Sequence, residues 1–163
     1  MVEEVKQVEK PTIAILRECK NKWERRCSLT PKEVAEITKL GIRVLVQPST
    51  SRCYSEDEFI EAGAEIEEDV SPASVIFGVK EVPIPNLMEN KTYFFFSHTI
   101  KAQDYNMPLL DKLLELNIRM VDFECIREPK VPGKISNRLV AFGRYAGIAG
   151  AFDFLRGIGE FLL

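Results

Sequence analysis

The residues best suited to chemistry stand just behind short apolar runs. Arg17, Glu18, Arg25 and Arg26 follow the run from Thr12 to Leu16. Lys80 follows Ala73 to Val79, Ser97 and His98 follow Thr92 to Phe96, and Glu124 follows Ile118 to Phe123. Cations, a histidine and a carboxylate therefore come after four apolar runs. Such a set suits holding an acidic substrate and moving protons. An arginine fork matches a carboxylate along two parallel hydrogen bonds, which makes Arg26 a candidate anchor for a 2-oxo acid. A lysine that is partly desolvated near other cations serves as a base close to neutral pH, and histidine titrates there unaided. Lys80 and His98 are the candidate acid–base pair.

Each position also has a plainer reading. Lys80 is then a solvated strand end, His98 a hydrogen-bonded structural histidine, Glu24-Arg25-Arg26 a surface charge run and Glu124 a sheet-end carboxylate. Phe94, Phe95 and Phe96 read as strand core first and as a dry wall for a site second. What raises the joint weight of the four is a shared location. In open α/β sheets, ligands bind beyond the carboxyl ends of the strands.

The elements needed for that location can be read from the pattern. Thr12 to Leu16, Ile42 to Val46, Ala73 to Val79, Thr92 to Phe96 and Ile118 to Phe123 are short, apolar and β-branched or aromatic, as buried strands are. Arg138 to Phe142 is a candidate sixth. Thr30-Pro31-Lys32-Glu33 opens a helix with a cap, a proline at the first position and a capping box, and Gly41 closes it. Ser55-Glu56-Asp57-Glu58 opens a second helix, which stops at Gly63. Leu109, Leu110, Leu113 and Leu114 give a third helix, about 106 to 116, an apolar face. Nearly all-apolar strands alternating with helices predict an α/β fold: a three-layer, open, mostly parallel sheet. It is Rossmann-like without the glycine-rich loop. The nearest glycine pattern, Gly143 to Gly150, lacks the G-x-G-x-x-G spacing and follows no long strand.

The predicted organisation is a flexible tail over 1–11, an α/β domain over 12–142 and a linker helix over 143–163. Glu128 to Asn137 is a polar loop or hairpin. The last helix is apolar on nearly every side, with Ile148, Phe152, Phe154, Leu155, Ile158 and Phe161 among small residues. Such a helix needs burial all round. The expectation is that it runs on into a further domain, and that its exposed surface drives self-association in this chain. Burial against this same domain is the alternative.

Composition narrows the function classes. The chain has 163 residues, 45% hydrophobic and 29% charged, with a net charge of −3. Both signs are spread evenly, leaving no footprint for nucleic acid or an anionic membrane. No apolar run is long enough to span a bilayer. The four cysteines form no CxxC pair or zinc spacing, and one histidine excludes a histidine-rich metal site. Reduced thiols in an intracellular chain fit this usage. No transit peptide is visible, which does not exclude one removed upstream.

Several of these segments have a familiar look. Trp23-Glu24-Arg25-Arg26-Cys27-Ser28-Leu29-Thr30-Pro31, Gly78-Val79-Lys80-Glu81 and Phe95-Phe96-Ser97-His98-Thr99-Ile100-Lys101-Ala102-Gln103 resemble the arginine, lysine and histidine motifs of the alanine dehydrogenase, transhydrogenase and saccharopine dehydrogenase superfamily. With Val46-Gln47-Pro48-Ser49, Asn106-Met107-Pro108-Leu109-Leu110-Asp111 and Val140-Ala141-Phe142-Gly143 they resemble one branch of it. That branch is the lysine–2-oxoglutarate reductase region of the bifunctional aminoadipic semialdehyde synthases, animal and plant enzymes of lysine breakdown. The likeness covers about residues 12 to 163.

The resemblance implies that Arg26 holds the oxo-acid carboxylate, that Lys80 and His98 are the acid–base pair, and that Glu124 lines the lysine side. It implies L-lysine and 2-oxoglutarate as substrates, saccharopine as product and NADPH as hydride donor, with no metal. NADPH would bind mainly to a Rossmann domain absent from this chain, as is the saccharopine dehydrogenase region. The chain alone would then be inactive. The compartment implied is the mitochondrial matrix in an animal and the cytoplasm otherwise. Two other readings stay open: an alanine dehydrogenase-like domain, and a non-catalytic module that binds oxo acids or amino acids.

Overall fold

The computed structural model describes residues 10–129, 132 and 136–162. Residues 1–9 of the expected tail over 1–11, much of the 128–137 loop and Leu163 lie outside the described residues. Contacts divide the chain into two units, one ending at Phe123 and the other beginning at Glu124.

The first unit is built on six strands: β1 (Thr12–Ile15), β2 (Arg43–Val46), β3 (Glu65–Ile66), β4 (Val75–Phe77), β5 (Thr92–Phe95) and β6 (Arg119–Asp122). Every pairing is parallel, in the order β3-β2-β1-β4-β5-β6. Alternation along the strands splits the core in two. Ala14, Leu45, Ile76, Tyr93 and Phe95 face α3 (Met107–Glu115), which contributes Leu109 and Leu113. Ile15, Val44 and Val46 face α1 (Pro31–Lys39) and α2 (Glu56–Glu61), which contribute Val34 and Phe59. These are the three layers expected from the apolar strands.

Both helix starts form as the capping boxes dictate. The Glu33 carboxylate accepts the Thr30 N–H at 3.0 Å, and that of Glu58 accepts the Ser55 N–H at 2.7 Å. Gly41 and Gly63 follow α1 and α2 with φ of +81° and +87°, the left-handed region that glycine adopts without a Cβ penalty.

Two expectations need correction. β3 was not foreseen: it is two residues long, too short to show a period. Arg138 to Phe142 is not a strand. Arg138 makes one antiparallel bridge to Arg127, and hydrogen bonds from Glu128 N–H to Asn137 O (3.0 Å) and Leu139 N–H to Ile126 O (2.9 Å) flank it. The described part of the second unit thus holds a hairpin-like pairing, and after it α4 (Gly143–Leu162). No residue of α4 is buried; Phe154 is 68% exposed and Phe161 89%.

Candidate functional site at the carboxyl edge

From β1 the strand order runs one way through β2 to β3, and from β4 the other way through β5 to β6. β1 and β4 are therefore the switch point, where diverging connections open a crevice at the carboxyl edge. The ladder there continues past the strand ends. Leu16 N–H donates to Phe77 O at 2.9 Å, and Phe96 N–H to Val79 O at 3.0 Å. Glu18, Lys80 and His98 emerge just beyond these bonds.

Glu18 occupies the switch point. Its Oε1 accepts the Val79 N–H at 2.7 Å and its Oε2 accepts the Lys80 N–H at 2.9 Å. One carboxylate thus fixes the peptide that carries Lys80. Burial pushes the Glu18 carboxyl above its usual range, and the two N–H bonds oppose that shift. A second link crosses the same crevice, from Lys20 Nζ to Glu81 Oε2 at 3.1 Å. A cavity of about 270 Å³ opens here, lined by Arg17, Glu18, Gln47, Glu68, Lys80 and Glu81 among others.

Arg26 stands on the loop after β1, its side chain 45% exposed. Its Nε and Nη2 meet the two oxygens of Glu24 at 2.8 and 2.7 Å, and its backbone N–H also reaches Glu24 at 3.1 Å. The Arg26 hydrogen bonds hold the Glu24 carboxyl below the usual range despite burial, and the charge of Lys80 adds to the effect. Glu18 in turn feels both Glu24 and Arg26. Arg26, Glu24, Glu18 and Lys80 are therefore one electrostatic cluster. Arg52 ties together the strand ends from which the loops emerge. This guanidinium, 8% exposed, donates to Leu16 O (3.3 Å) and Gln47 O (3.0 Å) at the ends of β1 and β2, and lies over the Phe59 ring.

His98 follows β5 at φ +58°, a left-handed conformation held by the turn around it. Ser97 is fully buried and is the hub of that turn. Its hydroxyl donates to Asp122 Oδ2 at 2.5 Å and accepts the Thr99 N–H at 3.2 Å, while Asn106 Nδ2 donates to Ser97 O at 3.4 Å. The His98 ring stacks on Phe96, and its Nδ1 lies 3.0 Å from Lys101 Nζ. An ammonium can only donate, so Nδ1 is the acceptor and the ring proton sits on Nε2.

The first unit thus brings Arg26 and Lys80 into one cluster, and puts His98 at the end of the strand paired with that of Lys80. Glu124 falls in the second unit, two residues past β6. It is buried, and its Oε1 pairs with Arg138 Nη1 at 3.0 Å. Sequence reasoning gave no role to Glu18, Glu24, Ser97 or Asp122. Glu18 and Ser97 find their partners on distant segments, and their one sequence signal was a position behind an apolar run; Glu24 pairs with Arg26 two residues on, inside what reads as a surface charge run, and Asp122 lies within a strand. Among the described residues no group of three or more metal-ligating side chains occurs, and no helix is long and apolar enough to cross a membrane.

The switch point also bears on a dinucleotide. In the usual arrangement a glycine-rich turn after β1 offers backbone N–H groups to a pyrophosphate. Here the turn bears Arg17-Glu18-Cys19, and the Glu18 carboxylate already takes the two N–H groups at β4. A carboxylate there repels a pyrophosphate, so the residues present do not fit that group.

Comparison with known proteins bears on the family and the fold. The rat mitochondrial alpha-aminoadipic semialdehyde synthase is 48% identical over 154 residues, covering 94% of this chain and 16% of the relative. A saccharopine dehydrogenase [NAD(+), L-lysine-forming] of Yarrowia lipolytica is 29% identical, over 78% of this chain and 35% of the relative. The chain therefore spans about one sixth of the first of these relatives and a third of the second. Among solved structures, an L-alanine dehydrogenase superposes with a TM-score of 0.63 at 20% identity, over 72% of this chain and 34% of that one, which speaks to the fold alone. The model of the alanine dehydrogenase/PNT N-terminal domain matches residues 14–149. With that match running from within β1 through all the other strands and covering the cluster at the carboxyl edge, the chain belongs to the alanine dehydrogenase/PNT N-terminal domain family.

Proposed function

We propose that this chain is the substrate-side part of a saccharopine-forming oxidoreductase, one that joins the ε-amine of L-lysine to the ketone of 2-oxoglutarate for reduction by NADPH. The observation that carries the reading is the cluster of Arg26, Glu24, Glu18 and Lys80 at the switch point, with His98 on the adjoining strand end. The similarity to a mitochondrial synthase supports the same reading, with the mitochondrial matrix as compartment in an animal.

Arg26 binds a carboxylate of the oxo acid in this account, in exchange with Glu24. The lysine ammonium must lose a proton before its nitrogen attacks the ketone carbon. The carbinolamine oxygen must then gain one to leave as water, giving the imine. Lys80 and His98 make these transfers, because arginine does not deprotonate and an ionised carboxylate only accepts. The residues at β1 do not fit a dinucleotide, so this edge does not hold NADPH in this reading. Its site belongs in this reading to a further domain of a longer protein, with α4 as the connecting helix, and the chain alone is inactive.

The test is steady-state kinetics on a polypeptide of the relatives' full length that carries this chain. Lys80→Met and His98→Gln should each lower turnover by about 10²–10⁴-fold, the usual worth of a general acid or base. Arg26→Ala should chiefly raise the KM for 2-oxoglutarate. Near-normal turnover with an unchanged pH profile in either of the first two variants returns that residue to a structural role.

A further inference from the structure

Cys27 and Cys53 come together although they lie on different loops. Cys27 follows Arg26 on the loop after β1, and Cys53 follows Arg52 on the loop after β2. Two hydrogen bonds pair these loops: Cys53 N–H donates to Arg25 O at 2.8 Å, and Arg25 Nε to Ser51 O at 3.1 Å. The pairing brings the Cys53 thiol close enough to bear on that of Cys27. Cys53 is exposed and Cys27 half-buried, and both are free thiols. An exposed thiol beside a sheltered one on a rigidly paired loop is the geometry of an attacking and a resolving cysteine.

We infer that Cys27 and Cys53 form a redox modification site, a thiol pair that closes to an intramolecular disulfide when challenged by a low-molecular-weight disulfide. The Cys53 thiolate attacks one sulfur of the oxidant, and the first small thiolate leaves with the electron pair. The Cys27 thiol then loses its proton and attacks the Cys53 sulfur, expelling the second small thiol. Two protein thiols are oxidised, one small disulfide is reduced to two thiols, and the protons released by the protein are taken up by the leaving thiolates. The new bond closes the segment that contains α1 and β2, and ties the loop bearing Arg26 to the loop bearing Arg52. Burial and the neighbouring Cys53 push the Cys27 thiol up to about 12. The closing step requires deprotonation of Cys27 and should quicken as pH rises.

The 163-residue chain incubated with glutathione disulfide, alkylated and mapped by mass spectrometry without reduction tests this directly. The expected result is a Cys27–Cys53 linked peptide within one chain, and a melting temperature raised relative to the reduced protein, because the cross-link restricts the unfolded chain. Cys27→Ser should trap Cys53 as its mixed disulfide with glutathione. In denaturant the preference for this pair over pairs with Cys19 or Cys125 should vanish. The inference is overturned if native wild-type chain stops at the Cys53 mixed disulfide with Cys27 still open to alkylation. It is equally overturned if either cysteine links to Cys19, Cys125 or a second chain instead.

Discussion

Glu18 is the side chain on which the local geometry most depends, because both its oxygens are committed to the backbone at Lys80. A glutamine there presents one acceptor and one NH₂, so one of the two N–H groups faces a donor. Glu18→Gln should destabilise the chain by about 1–3 kcal/mol, the cost of a buried donor left unpaired. Urea denaturation measures the loss, and amide exchange at Val79 and Lys80 should quicken with it. An unchanged midpoint would show that Glu18 is dispensable to this loop. Glu18 and Glu24 also predict opposite pH dependences. The Glu24 carboxyl is depressed by Arg26, so its stabilising contribution is present above its unfolded value near 4.5 and is lost as pH falls through its folded value. The Glu18 carboxyl is raised by burial, so its contribution is present below its unfolded value and is lost as pH rises through its folded value. Glu24→Gln should therefore flatten the acid limb of the stability curve, and Glu18→Gln should shrink its deficit relative to wild type as pH rises. Arg26, Lys80 and His98 could be singled out in the sequence because strand ends announce them. Glu18 could not be given its role there, since its partners lie 61 and 62 residues away and no periodicity connects them.

At the scale of elements, local chemistry was legible wherever the deciding contacts are local. The boxes Thr30–Glu33 and Ser55–Glu58 start α1 and α2 where their spacing says, and Leu109 and Leu113 turn α3 toward the core. Ser55→Ala should cost about 0.5–2 kcal/mol, the worth of a helix cap. Leu113→Ala should cost about 2–5 kcal/mol, since it leaves a cavity under the sheet; both can be read from urea midpoints. The turn after β5 was less legible. Its conformation depends on Ser97, whose hydroxyl joins Asp122 at the end of β6 to Thr99. Ser97→Ala removes that hub. In a full-length enzyme it should lower turnover while leaving the KM for 2-oxoglutarate nearly unchanged, because His98 is displaced and Arg26 is not. A KM rise with unchanged turnover would argue against His98 as the group affected. β3 was missed because two residues carry no pattern, and Arg138 because a single bridge was read as a strand.

At the scale of the molecule, apolar strands alternating with helices foretold a parallel sheet but not its order. The order β3-β2-β1-β4-β5-β6 is what makes the ends of β1 and β4 a crevice, and it rests on pairings between segments distant in sequence. α4 exposes Phe152, Phe154, Leu155 and Phe161 at 70, 68, 62 and 89%. So much apolar surface drives association. Light scattering should find the chain self-associated, and Phe154→Glu with Phe161→Glu should return it toward monomer. A monodisperse wild-type monomer would contradict that expectation. The central claim, that the carboxyl edge binds an oxo acid and not a dinucleotide, is tested most directly by calorimetric titration of this chain with 2-oxoglutarate and with NADPH, beside its Arg26→Ala variant. The expected result is binding of 2-oxoglutarate that is lost in Arg26→Ala, with no binding of NADPH. Binding of NADPH, or 2-oxoglutarate affinity that is absent or indifferent to Arg26, would contradict it.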